Sequence, residues 1–142
     1  MKLKKYYIFF IFIYILDSFI WIINKILPGR ILIDFFIINN WSLIKLNFIK
    51  QRKLIFLNII LKSINLIQKR KIIASNCLSL SITMKVLLDV IRVPCNFNLG
   101  FSSSSNNKKT PHAWISDLTG KKLYTDRMGS KLVKTYHCDY NK

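Results

Sequence analysis

The chain contains no glutamate. Its six acidic residues are all aspartates, and 23 lysines and arginines oppose them in 142 residues. The formal net charge of +17 would attract phosphate groups, anionic lipid or an acidic peptide. A general bias in amino-acid composition also explains this charge, because Ile, Lys, Asn, Phe and Tyr are all over-used, as expected of a chain from an AT-rich genome. The basic residues are scattered and accompany no RNP-like, helix-turn-helix or zinc-finger pattern, so no nucleic acid is predicted as a partner.

Cysteine is scarce as well. Cys77, Cys95 and Cys138 are odd in number, and none stands in a C-x-x-C motif. We therefore expect no disulfide framework, no zinc site and no other cofactor, which fits the reducing cytosol. A chain of this length can form a core without disulfides. The interpretation is a single domain over residues 1–142, with an apolar helical section (1–74) before the section that carries the motifs (75–142).

The N-terminal apolar stretch, residues 6–27, follows a short basic leader and is interrupted by four polar residues, among them Asp17. It is long enough for a membrane helix, and its first part imitates a signal peptide without a small-x-small cleavage site. Inserting Asp17 near the centre of a bilayer would cost roughly 2.5 to 3.5 kcal/mol. A helix buried in a small domain explains the polar interruptions better, and a membrane helix is the alternative.

A second helix is predicted from residue 50 onward. Apolar residues recur at spacings of three and four, with lysines and arginines between them. They are Leu54, Leu57, Leu61, Ile64 and Ile67. The pattern indicates an amphipathic helix that ends near the basic run 69–71, where cations suit the helix dipole. Such a helix can lie on a membrane, but packing on a core with its lysines in water is commoner.

Cys77 opens the next predicted helix. Ser75 or Asn76 is the expected N-cap, and Pro94 prevents the helix from continuing beyond about Ile91. Its expected buried face consists of Leu80, Met84, Leu87, Leu88 and Ile91. Residues 95–101 then alternate between apolar and polar, which predicts a strand.

A hairpin is predicted after a polar loop at residues 102–111. Residues 112–116 and 121–125 are expected to form two strands joined around residues 118–120, where Gly120 supplies a positive φ. His112 begins the first strand and Asp126 follows the second. Antiparallel pairing would bring these two residues together, as an imidazole–carboxylate hydrogen bond requires.

These residues supply the parts of a thiol nucleophile. The N-terminus of a helix favours a thiolate at Cys77, His112 can act as base, and a carboxylate can orient the imidazole. Asp126 is the preferred carboxylate on strand-end geometry, and Asp117 is the alternative. Cys95 and Cys138 lack such a set and are interpreted as small buried hydrophobic residues.

The set resembles a known family. Cys77-Leu78-x-x-Ser81, Val93-Pro94, a strand ending in Gly100, and His112-Ala113-Trp114 with a Gly and an Asp downstream are similar to the transglutaminase-like leader peptidase of lasso-peptide biosynthesis, the peptidase half of the microcin-processing B protein. The similarity covers residues 75–126 strongly. The N-terminal half is similar to these peptidases only in its general character, since they too begin with apolar helices before the Cys.

The resemblance implies a papain-like α+β fold, in which N-terminal helices precede a Cys-bearing helix packed on a small antiparallel sheet. It implies a cysteine protease that removes the leader from a ribosomally made precursor. Cys77 would be the nucleophile, His112 the base and then acid, and Asp126 the orienting carboxylate. The implied partners are the precursor's leader peptide, a small leader-recognition protein and an asparagine-synthetase-like macrolactam cyclase.

Two positions depart from the family pattern. The family has Gly before the Val-Pro step, where the helix ends in the left-handed conformation, and this chain has Arg92. The residue four after the His is normally Glu, and here it is Ser116, followed by Asp117.

Two other functions stay open on the sequence. The first is a membrane-associated binding or scaffold protein, held on anionic lipid by the apolar N-terminal section and the net charge. The second is an acyl transferase, because the same triad serves hydrolysis or aminolysis according to which nucleophile reaches the acyl-enzyme. The expected location is the cytoplasm, with peripheral attachment to the inner face of the membrane as the alternative.

Overall fold

A computed structural model describes residues 2–38, 50–70, 76–103, 109–123 and 131–138. The helices are α1 (Lys2–Ile26), α2 (Gly29–Ile33), which continues into a π-helical segment (Asp34–Ile38), α3 (Lys50–Arg70) and α4 (Cys77–Val90). The strands are β1 (Asn96–Ser103), β2 (Lys109–Ser116) and β3 (Lys131–Cys138). The predicted α+β class is confirmed, as are the helix from residue 50 and the helix that begins at Cys77.

The strands form one antiparallel sheet in the order β2-β1-β3. Gly100 of β1 lies opposite His112 of β2, and the pairing continues as far as Ser103 and Lys109. The predicted loop at residues 102–111 is therefore too long, because strand pairing extends into both of its ends. The β1–β3 pairing contains an irregularity between Leu99 and Gly100. Strand β3 was not predicted from the sequence.

The predicted turn at residues 118–120 is confirmed. Gly120 has a φ of +87°, its N–H donates to the carbonyl of Asp117 at 3.0 Å, and Asp117 N–H donates to Lys121 O at 2.9 Å. Beyond the turn, Ser116 and Lys122 form an isolated antiparallel bridge, and Leu123 N–H donates to Ile115 O at 3.1 Å. Within residues 109–123 the second strand of this hairpin is thus reduced to a bridge, while residues 124 and 125 lie outside the described ranges.

Helix α4 lies at the centre of the fold. It packs against β2 and against α1, and it also contacts α3 and the π-helical segment. The predicted buried face is confirmed at all five positions, but Ser79, Ser81, Thr83 and Lys85 are buried as well. A helix covered on all sides holds whatever stands at its N-terminus in a fixed position.

Helix α1 is buried along one side only. Ile13, Asp17 and Ile20 are fully buried, whereas Ile15 and Phe19 are more than half exposed. The segment Tyr7–Ile26 has the length and the mean hydropathy, 2.0, of a membrane-crossing helix, and 17% of its apolar window is buried. Core helices of soluble proteins and signal sequences share that length and composition.

Helix α4 ends in a Schellman motif. Val93 N–H donates to Leu88 O at 2.9 Å, Arg92 N–H donates to Asp89 O at 3.0 Å, and Arg92 has a φ of +54°. The left-handed conformation that glycine usually supplies is therefore adopted by an arginine. The chain turns here into β1.

Candidate catalytic site

Cys77 is the first helical residue of α4, and Asn76 is its N-cap. The Asn76 side-chain oxygen accepts from Ser79 N–H at 2.8 Å, and the Ser79 hydroxyl donates to Asn76 O at 3.1 Å. Asn76 is thus confirmed as the cap, while Ser75 lies outside the described residues. The positive end of the α4 dipole falls at the thiol, and this field favours a negatively charged sulfur.

The Cys77 thiol lies beside the beginning of β2. Its Sγ atom is 3.8 Å from the carbonyl oxygen of Pro111, and the carbon of that carbonyl is bonded to the backbone nitrogen of His112. The two residues are far apart in the sequence, and the packing of α4 on β2 brings their segments together. Cys77 is half-buried, so the thiol is held by the fold and still reachable from solvent.

His112 is held by its neighbours on β2. Its ring stacks on that of Trp114, with centroids 6.0 Å apart and planes 17° from parallel. Both side chains project from the same face of the strand, because residues two apart in a strand share a face. Trp114 is buried and so gives the imidazole a fixed surface to lie against.

The third member of the predicted set, Asp126, lies outside the described residues. The alternative, Asp117, is used by the hairpin turn. Its Oδ1 accepts from the Thr119 hydroxyl at 2.6 Å and from the N–H groups of Thr119 and Lys121 at 2.9 Å each. These hydrogen bonds, that of the Thr119 hydroxyl foremost, lower the pKa of Asp117. Five residues of extended chain separate it from His112, about 16 Å, so it does not orient that ring.

Asp17 is a further carboxylate near the site, and its place there was not predicted from the sequence. It is fully buried against α4, and its Oδ1 accepts from the Thr83 hydroxyl at 3.4 Å. Burial raises the pKa of Asp17 to about 6, against the opposing effect of hydrogen bonds from Ser79 and Thr83. Ser79 and Thr83 are one helical turn apart on α4, so Asp17 contacts the helix just below Cys77. The sequence held one signal for this contact: Asp17 is the single acid in an apolar helix, and Ser79 and Thr83 are two hydroxyl residues spaced by four in another.

Cys95 differs from Cys77 in its access to solvent. It is fully buried, and burial raises the pKa of its thiol to about 12, with Lys85 and Asp89 having smaller and opposite effects. Cys95 is therefore a small buried residue, as predicted. Cys138 belongs to β3. Among the described residues, no group of three or more His, Cys, Asp or Glu could hold a metal ion.

Comparisons with protein-family models, with curated proteins and with solved structures find no match to this chain. The case for a function therefore depends on the residues and their geometry.

Proposed function

We propose that the chain is a cysteine peptidase with a transglutaminase-like core, in which Cys77 is the nucleophile and His112 the base. The observation that carries the proposal is the position of the Cys77 thiol. It lies at the capped N-terminus of a buried helix and 3.8 Å from the carbonyl of the residue before His112. A thiol at a helix N-terminus with an imidazole on a neighbouring element is the arrangement that activates sulfur for attack on a carbonyl.

The reaction would proceed through an acyl-enzyme. The Cys77 thiolate attacks the scissile carbonyl carbon, and N–H groups at the start of α4 donate to the oxyanion that forms. Protonated His112 gives its proton to the leaving amine as the C–N bond breaks, which leaves a thioester on Cys77. His112 then takes a proton from water, the hydroxide displaces the thiolate, and the carboxylic acid product is released.

Asp126 would complete the set by orienting His112. The Ser116–Lys122 bridge lies on the edge of β2 that β1 does not occupy. In an antiparallel register each step back along β2 is matched by one step forward on the other strand. If this register continued for four such steps beyond the described residues, it would pair position 112 with position 126, and for this reason we prefer Asp126 to Asp117.

The proposed substrate is the precursor of a lasso-type peptide, cleaved at the junction between leader and core. This part of the proposal depends on the Cys-Leu-x-x-Ser and His-Ala-Trp motifs, in the order and spacing of the leader peptidases. A small recognition protein would present the leader, and a macrolactam cyclase would use the free N-terminus of the released core. The basic chain, with its net charge of +17, suits an acidic peptide.

The direct test is cleavage of a precursor in the presence of its recognition protein, with the wild type, Cys77→Ala and Cys95→Ala. Cys77→Ala should abolish cleavage, whereas Cys95→Ala, at a buried thiol, should retain it. Undiminished cleavage by Cys77→Ala would overturn the assignment. Product masses separate the peptidase from the acyl transferase, because hydrolysis gives a free acid and aminolysis gives an amide.

A further inference from the structure

The outer side of α1 is an apolar surface that no described element covers. Six exposed residues follow one another at spacings of four and three along the helix: Ile8, Phe12, Ile15, Phe19, Ile22 and Ile26. We call these six residues the α1 stripe. Alternating spacings of three and four keep them on one side of the helix, and the helix of 25 residues makes this stripe more than 25 Å long, at about 1.5 Å per residue.

An apolar groove continues the α1 stripe. It has a volume of about 510 Å³, lies between α1 and the segment formed by α2 and the π-helical residues, and is lined by apolar residues alone. Phe19, Leu27, Ile31 and Phe35 line it and are also partly exposed to solvent. Monomeric soluble proteins rarely expose a contiguous apolar surface of this extent without a binding function.

The charge around this surface indicates its partner. Lys2, Lys4 and Lys5 stand in the first turns of α1, and Lys25 and Arg30 follow at the other end, both exposed. Asp17 is the one acid in α1, and it is buried on the opposite side; Asp34, beyond the stripe, is exposed. An apolar strip with cations at both ends matches the acyl region and the anionic headgroups of a membrane surface.

We propose that the α1 stripe and the adjoining groove bind the surface of a bilayer that contains anionic phospholipid, with α1 lying parallel to the membrane plane. The proposal goes beyond the peptidase activity and does not depend on it. A second copy of the chain fits the same surface less well, because two copies with a net charge of +17 each would have to meet.

A parallel rather than a spanning orientation follows from the packing of α1. Ile13, Asp17 and Ile20 are fully buried, and Asp17 accepts a hydrogen bond from Thr83 of α4. A spanning α1 would lose this packing and would place the Asp17 carboxyl in the hydrocarbon. A parallel α1 keeps this packing, and α4 stays between α1 and β2, the strand that carries His112.

The test is sedimentation of the full chain with vesicles of phosphatidylcholine alone or of equal parts phosphatidylcholine and phosphatidylglycerol. The wild type should bind the anionic vesicles, bind the neutral ones much less, and be released progressively as salt is raised. Absence of binding to both kinds of vesicle would overturn the proposal.

A matched pair of variants tests the surface itself. Ile15 is 59% exposed and Leu118, in the hairpin turn, is 58% exposed, so Ile15→Gln and Leu118→Gln remove similar apolar areas from different faces. Ile15→Gln should weaken vesicle binding several-fold and Phe12→Gln/Ile15→Gln about tenfold or more, while Leu118→Gln should have no effect. Equal binding by all these variants would mean that charge alone attracts the chain, which would contradict the proposal.

Two further measurements test whether the α1 stripe instead binds a second copy of the chain or belongs to a membrane-spanning helix. Light scattering that shows a stable dimer, dissociated by Phe12→Gln/Ile15→Gln, together with no vesicle binding, would assign the surface to a second copy. Resistance of the bound chain to alkaline extraction would indicate a spanning helix, and either result would overturn the proposal. If the Gln variants fail to fold by circular dichroism, Phe19→Trp places a fluorescent side chain in the α1 stripe, where Phe19 is 55% exposed. Brominated acyl chains should quench the fluorescence that this variant adds to that of the wild type, and no quenching would contradict the proposal.

Discussion

The Sγ atom of Cys77 lies 3.8 Å from the carbonyl oxygen of Pro111. This contact joins the first residue of a buried helix to the strand position next to His112. The helix start is fixed by the Asn76 cap, and the strand position is fixed by pairing with β1 and by the Trp114 ring beside the imidazole. The thiol and the imidazole are thus borne by two rigid elements, which is what a preorganised nucleophile and base require.

The two characterised thiols should differ in reactivity. In a Cys138→Ser background, iodoacetamide at neutral pH should alkylate Cys77 and leave Cys95 untouched, because Cys95 is fully buried and burial raises its pKa to about 12. Peptide mass mapping after timed exposure measures both rates. The same experiment in denaturant is the control, since both thiols should then react. Equal rates in the folded chain would contradict the placement of the two thiols.

The two candidate carboxylates should respond differently to conversion to an amide. Asp126→Asn should lower kcat/KM for precursor cleavage by about 10³-fold or more, because the imidazole loses the group that fixes its tautomer. Asp117→Asn should change activity little, since the side-chain hydrogen bonds that Asp117 accepts in the turn all go to Oδ1, an oxygen that Asn retains. A large loss at Asp117 together with a small one at Asp126 would reverse the assignment.

Local signals explain which parts of the fold could be predicted. The Asn76 cap, the stop before Pro94 and the turn at Gly120 each depend on a few neighbouring residues, and the structure has all three. The helix end at Arg92 is different, because the glycine of the family pattern is missing there and the sequence did not predict the turn; the left-handed conformation is nevertheless present with a non-glycine residue.

Non-local contacts explain what could not be predicted. Strand β3 pairs with β1 across a long sequence separation. Residues 131–138 have no turn signal or alternating pattern that identifies β1 as the strand with which they pair. Helix α1 is apolar on all sides, so its sequence did not show which side is buried. The contact that decides it joins Asp17 to Thr83, 66 positions away. The exposed α1 stripe follows from that contact and not from periodicity.

Removing one member of the Lys85–Asp89 ion pair should destabilise the protein more than removing both. Lys85 Nζ lies 2.6 and 2.7 Å from the two carboxylate oxygens of Asp89, and the side chains are 4% and 16% exposed. Lys85→Met should lower the free energy of unfolding by about 3 kcal/mol, because it leaves a charge in a largely buried position. The double variant Lys85→Met/Asp89→Leu should recover most of that loss. Urea denaturation measures both, and a single variant as stable as the wild type would contradict the prediction.

Arg92→Gly should stabilise the protein. Arg92 has a φ of +54°, which costs an L-residue about 1 kcal/mol and costs glycine nothing. The greater flexibility of glycine in the unfolded chain offsets part of the gain, so an increase of about 0.5 kcal/mol in the free energy of unfolding is expected. Arg92→Ala is the matched control, since it removes the side chain without relieving the backbone. Stabilisation by Ala as large as that by Gly would show that the side chain, and not φ, causes the strain.

The buried carboxyl of Asp17 should make stability depend on pH. Its pKa is raised from 3.8 to about 6 by burial, so the folded chain holds a proton there that the unfolded chain releases. The stabilising contribution of the protonated form is therefore complete below pH 4 and is lost as pH rises through 6, by up to about 3 kcal/mol. Asp17→Asn stays neutral at every pH. The difference in unfolding free energy between Asp17→Asn and the wild type should consequently shift in favour of the variant between pH 4 and pH 7, as measured by urea denaturation across that range. A difference that does not change with pH would show that Asp17 titrates alike in the folded and unfolded chains, and would contradict its burial against Thr83.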